Sequence, residues 1–86
     1  MSGLRKRSLA LAGHRTSLAL EPQFWSVLEA LAHSRGLSLA GLIAEVDAGR
    51  GARPLASACR LAALAFAAEG KVGTHTLFAG GDASDA

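Results

Sequence analysis

The stretch that most constrains this chain is His14-Arg15-Thr16-Ser17-Leu18-Ala19-Leu20, closed by Glu21-Pro22. Thr16, Leu18 and Leu20 alternate with Arg15, Ser17 and Ala19, the period-two pattern of a strand with one apolar face. Pro22 ends that pattern and suits the first position of a helix, where its missing N–H is no loss. A lone strand leaves its backbone donors and acceptors unmet. The fold must therefore supply a second strand.

Composition narrows where that strand comes from. Eighty-six residues make one small domain, near the lower limit for burying a useful core. Half of the residues are apolar, but many are alanine, and the aromatics are limited to Phe24, Trp25, Phe66 and Phe78. So light a core needs a supplement. Cys59 is the single cysteine, which excludes an internal disulfide. His14, His33 and His75 are far apart and have no second thiol, which argues against a zinc site. A second copy of the chain is the expected supplement, with no cofactor and no metal.

Charge is distributed unevenly behind the net +2. Residues 1–20 carry Arg5, Lys6, Arg7 and Arg15 and no acid, for +4. Residues 21–70 set four arginines (35, 50, 53, 60) against five acids (Glu21, Glu29, Glu45, Asp47, Glu69), for −1. The tail sets Lys71 against Asp82 and Asp85, again −1. Basic charge concentrated on the strand and its lead-in fits an anionic partner, nucleic acid before a membrane surface. The apolar run Leu9 to Ala12 is too short for a signal-peptide core. The alanine-rich run Leu55 to Ala68 contains Arg60 and falls short of the ~20 residues of a membrane span. A soluble, cytoplasmic protein is expected.

Read in order, residues 1–13 form a basic arm. Ser8-Leu9-Ala10-Leu11-Ala12 alternates weakly and reads either as an extra strand or as an extended lead-in, with Gly13 at the bend. The strand spans 14–20. A helix over 22–35 carries Phe24, Val27, Leu28, Leu31 and Ala32 on one face, and Gly36 suits its left-handed cap. Ser38 is a good N-cap for a helix over 38–48, with Leu39, Leu42, Ile43 and Val46 on its apolar face. The connection is so short that the two helices must form an angled pair. Gly49 to Pro54 breaks the chain. A third helix over 54–69 has Leu61, Leu64, Ala65 and Ala68 as its expected apolar stripe and reads as an appendage. Residues 70–86 read as a flexible tail whose one apolar cluster is Thr76-Leu77-Phe78. No internal repeat of useful length is expected.

The motifs Gly13-His14-Arg15-Thr16-Ser17, Leu20-Glu21-Pro22, Phe24-Trp25, Arg35-Gly36-Leu37-Ser38-Leu39 and Leu42-Ile43 occur in register over roughly residues 6–68. In that order the chain resembles the ribbon-helix-helix family of DNA-binding proteins, in particular a subfamily of small bacterial ones. The resemblance implies a mostly α fold in which two chains pair their N-terminal strands antiparallel, followed by two core helices and, here, a third. It implies that the paired ribbon enters the DNA major groove. Arg15, Ser17 and Ala19 would face the bases, and Thr16, Leu18, Leu20, Phe24, Trp25, Leu28, Leu31, Leu42 and Ile43 would build the dimer core. Arginine suits the guanine O6 and N7 acceptors, serine either a donor or an acceptor, while Ala19 departs from the usual polar residue and can touch only a thymine methyl. Ser38 and the Leu39 amide would grip a phosphate at the second helix's N-terminus, joined by Arg5, Lys6 and Arg7.

Each signal has a plainer alternative. Arg15 could be a solubilising edge residue, and Ser38 a helix cap alone. Trp25 fits a core better than a stacking platform. His14 is expected to hydrogen-bond the local backbone, His33 to be solvated and Cys59 to be a small buried hydrophobe. No glycine-rich phosphate loop, paired metal ligands or activated nucleophile is present, so an enzyme is not expected. The reading is a homodimeric, sequence-specific DNA-binding protein acting in transcription. Its rivals are a non-catalytic protein-interaction module, antitoxin- or adaptor-like, binding a partner through the third helix or the tail, and a membrane-surface peptide.

Overall fold

The structure, a computed structural model, describes residues 3–70. The tail expected over 70–86 lies, apart from Gly70, outside the described residues. The element order is β1 (Arg5–Leu11), β2 (His14–Leu20), α1 (Pro22–Ser34), α2 (Leu39–Gly49) and α3 (Leu55–Ala68).

The strand His14–Leu20 finds its antiparallel partner in its own chain. Arg5 pairs with Leu20 at one end and Leu11 with His14 at the other, joined by the two-residue turn Ala12-Gly13. Both turn residues have positive φ, 51° at Ala12 and 83° at Gly13, the backbone of a type I′ turn whose twist matches that of the strands it joins. The basic segment Arg5-Lys6-Arg7 is therefore ordered strand rather than a loose arm. The reason is visible once the register is known. Residues 8–11 and 17–20 are both Ser-Leu-Ala-Leu, so β1 repeats the alternation of β2 and offers an equally apolar inner face.

On that inner face Leu9, Leu11, Leu18 and Leu20 are buried against the helices. Pro22 opens α1 as its first residue. At the other end Gly36 adopts φ 69°, the Leu37 amide donates to the Ala32 carbonyl at 2.8 Å, and the Gly36 amide donates to the His33 carbonyl at 3.1 Å. These paired bonds satisfy the last carbonyls of α1 and turn the chain at once toward α2. Ser38 caps α2, accepting from the Gly41 amide at 2.9 Å. Trp25, Val27, Leu28 and Ala32 of α1 meet Leu42 and Ile43 of α2 in the core, while Thr16, Phe24 and Leu31 are half-buried.

The third helix differs from its expected role. It packs on α1, α2 and β2, with Cys59, Ala63, Phe66 and Ala67 inside the shared core. The residues expected to form its apolar stripe, Leu61, Leu64, Ala65 and Ala68, are all exposed. In an alanine-rich helix nearly every face is apolar, so periodicity does not choose between them. Small residues allow closer approach of α3 to the other helices, and the leucines are left outside.

A candidate nucleic-acid interface on the hairpin

The register divides the hairpin into two faces. Arg5, Arg7, Leu9 and Leu11 share the inner face with Leu20, Leu18, Thr16 and His14. Lys6, Ser8 and Ala10 share the outer face with Ala19, Ser17 and Arg15. All six outer residues are exposed except Ala19, which is half-buried.

Charge is handled differently on the two faces. The Arg7 guanidinium lies 2.7 Å from the Glu29 carboxylate and 4.7 Å from the centroid of the Trp25 ring. Trp25 is buried and donates its indole N–H to the Arg5 carbonyl at 2.8 Å. One tryptophan thus satisfies its polar edge on the β1 backbone and offers its ring face to an arginine. This clasp ties β1 to α1. Elsewhere Arg35 pairs with Glu45, Arg50 with Asp47 and Arg60 with Glu21. Lys6 and Arg15 have no acidic partner among the described residues. Every described acid except Glu69 is already matched to an arginine, so positive charge remains on the outer face of the ribbon.

The other expected site residues fall in three places. Ser38 is exposed at the start of α2, beside the half-buried Leu39. Arg5 sits at the open end of the hairpin, exposed but on the inner side. His14, expected to bond the local backbone, is exposed, and its side chain makes no hydrogen bond among the described residues; its backbone pairs with Leu11 at the turn end of the hairpin. His33 is exposed. Reading β2 alone missed half of the outer face: Ser8 and Ala10 were not singled out, and Lys6 was assigned to phosphate alone. The Ser-Leu-Ala-Leu repeat was the signal that could have found them.

Cys59 is fully buried, and burial, aided by the Asp47 carboxylate, pushes its thiol up to about 11. It is a protonated, inert side chain at neutral pH. Among the described residues no group of histidine, cysteine and carboxylate side chains could hold a metal ion, and no helix is long and apolar enough to cross a membrane.

An antiparallel ribbon with a basic outer face, set on helices joined by a tight capped turn, defines a ribbon-led helical module. The profile of the ribbon-helix-helix domain matches residues 4–67, and the chain belongs to that family. Its members are in general DNA-binding transcription regulators or antitoxins, typically bind DNA as dimers, and are typically not enzymes. Comparison with curated proteins and with solved structures returns no match.

Proposed function

We propose that this protein is a sequence-specific DNA-binding transcription regulator that lays its ribbon in the major groove and acts as a cytoplasmic homodimer. The observation that carries the reading is the outer face of the hairpin. Lys6 and Arg15 stand there without acidic partners among the described residues, next to Ser8 and Ser17, while four other arginines are neutralised within the chain. Arg15 and Ser17 read base edges, and Ala19 contributes at most a contact to a thymine methyl. Arg5, Lys6, Ser38 and the Leu39 amide supply phosphate affinity. Arg7 contributes by holding β1 in place, since its guanidinium is engaged with Glu29 and Trp25. Dimerisation is supported by the habit of the family and by the lightness of a single-chain core.

The test is a gel shift on genomic fragments with the wild type and Arg15→Ala. Loss of one bidentate guanine contact weakens specific binding by about 1–3 kcal/mol. Equal shifts for the two proteins on every fragment would refute strand reading.

A second reading is a protein-interaction module, favoured by the exposed stripe Leu61, Leu64, Ala65 and Ala68 on α3. Affinity capture separates the two. A stoichiometric protein partner lost with Leu61→Ser and Leu64→Ser supports the module; recovery of one recurring DNA sequence supports the regulator.

A further inference from the structure

A groove opens between the end of α1 and the last two turns of α3, lined by Leu31, Arg35, Ala62, Ala65, Phe66 and Glu69. Alanine at 62 and 65 is what keeps it open, since a larger side chain at either position would fill the space between the helices. Phe66 is buried and Leu31 half-buried, while Arg35, Ala65 and Glu69 are exposed. The volume is about 280 Å³. Small-molecule pockets run from about 300 to 1,000 Å³, so this groove suits one or two apolar side chains better than a whole ligand.

We propose that the groove is the docking site of the chain's own segment Thr76-Leu77-Phe78, which lies outside the described residues. The chain leaves α3 at the groove itself. Glu69 lines it, and Gly70 follows with φ 80°, its amide donating to the Ala67 carbonyl at 2.9 Å. A left-handed glycine at this place turns the chain out of the helix direction. Gly36 does the same for α1, and the Leu37 that follows it packs against the core.

Reach and composition agree with this. Ala62 to Glu69 is seven residues of helix, about 10 Å at 1.5 Å per residue. Phe78 is eight residues beyond Gly70 and can extend to roughly 26 Å from it, so the segment covers the groove even when folded back. Within residues 71–86 Leu77-Phe78 is the one pair of large apolar side chains. The other aromatics, Phe24, Trp25 and Phe66, are already in the core or packed against it. Enclosing one more aromatic removes about 150–250 Å² from water.

Charge points the same way. Glu69 at the rim is the described acid with no arginine partner among the described residues. The ends of α1 and α3 also bring C-terminal carbonyls, which favour positive charge. The segment leading to Phe78 carries Lys71 and His75, and its first acid is Asp82.

Nuclear Overhauser contacts in the full-length wild type test the proposal directly. The Phe78 ring is expected to contact the methyls of Ala62, Ala65 and Leu31, and to shift the alanine methyls upfield. Leu77→Ser with Phe78→Ser should lose both the contacts and the shift. Ala65→Glu, which blocks the groove from its other side, should lose the same contacts while the signals of β2 and α2 stay in place. A sample mixed from labelled and unlabelled chains, with isotope filtering, separates contacts within a chain from those between chains. Contacts seen within one chain support the proposal. Contacts seen only between chains would make the occupant a second copy's segment and overturn it, as would a Phe78 ring that touches none of these methyls.

Discussion

The two faces of the hairpin share a backbone and a register but use their charges for opposite ends. On the inner face Arg7 is held by Glu29 and by the ring of Trp25, so its charge is used to attach β1 to α1. On the outer face Lys6 and Arg15 are exposed and meet no acid among the described residues. One-residue alternation along β1 is enough to place Lys6 and Arg7 in these different settings, because neighbouring side chains of a strand point to opposite faces. Basic residues adjacent in sequence are therefore not one functional patch. Arg7 is engaged within the chain, whereas Lys6 and Arg15 on the outer face, and Arg5 at the open end of the hairpin, meet no acid among the described residues.

Substitutions on the two faces should separate stability from binding. The largest effect is expected at Leu20, which is fully buried on the inner face. Leu20→Ala should cost about 2–5 kcal/mol in urea unfolding, whereas Arg15→Ala should stay within about 0.5 kcal/mol of wild type. An Arg15 variant as unstable as the Leu20 variant would erase the distinction between the faces.

The turn joining the strands comes next. Ala12 adopts φ 51° in a conformation that disfavours a side chain. Ala12→Gly should stabilise the hairpin by up to about 1 kcal/mol, read as a raised Tm without a change in the DNA sequence selected. A lowered Tm would contradict the type I′ assignment.

A smaller loss is expected from Arg7→Ala. The ion pair is half-exposed and screened, and an exposed cation–π contact is worth about 0.5–1 kcal/mol, so the total should not exceed about 1 kcal/mol. The accompanying signature is a change in Trp25 fluorescence, which Lys6→Ala should not produce.

The smallest effect concerns pH. A backbone hydrogen bond at Glu21 itself, and next the side-chain hydrogen bond from Arg60, hold the Glu21 carboxyl below its ordinary value. A carboxyl whose folded-state pKa is depressed adds stability above its unfolded pKa and loses it as pH falls through the lowered folded value. Tm should therefore drop slightly on acidification through and below the usual carboxylate range. Arg60→Ala should reduce that drop, and an unchanged pH profile in the variant would show that the pair is inconsequential.

The comparison also shows how far the sequence could be read. Strand alternation in His14–Leu20 is local and periodic, and so was visible without coordinates. The helix signals at Pro22, Gly36 and Ser38 were visible for the same reason, since each depends on backbone chemistry within a few residues. The face of α3 was not legible, because alanine carries almost no directional information and the choice was made by how closely α3 could approach α1 and α2. The partner of β2 was not legible either, since the need for a second strand does not say which chain supplies it.

By itself, then, the sequence determined that this protein has a two-faced strand, two capped helices in tight succession, and basic charge gathered at its N-terminal end. Tertiary structure alone decided that residues 5–11 fold back to complete the ribbon, that Arg7 turns inward while Lys6 turns outward, and that Leu61 and Leu64 stay outside. The physical reason is that capping and alternation are settled within a turn or two of chain. Strand pairing, ion pairing and helix packing depend on which distant residues are brought within a few ångströms, and that distance is set only when the chain has folded.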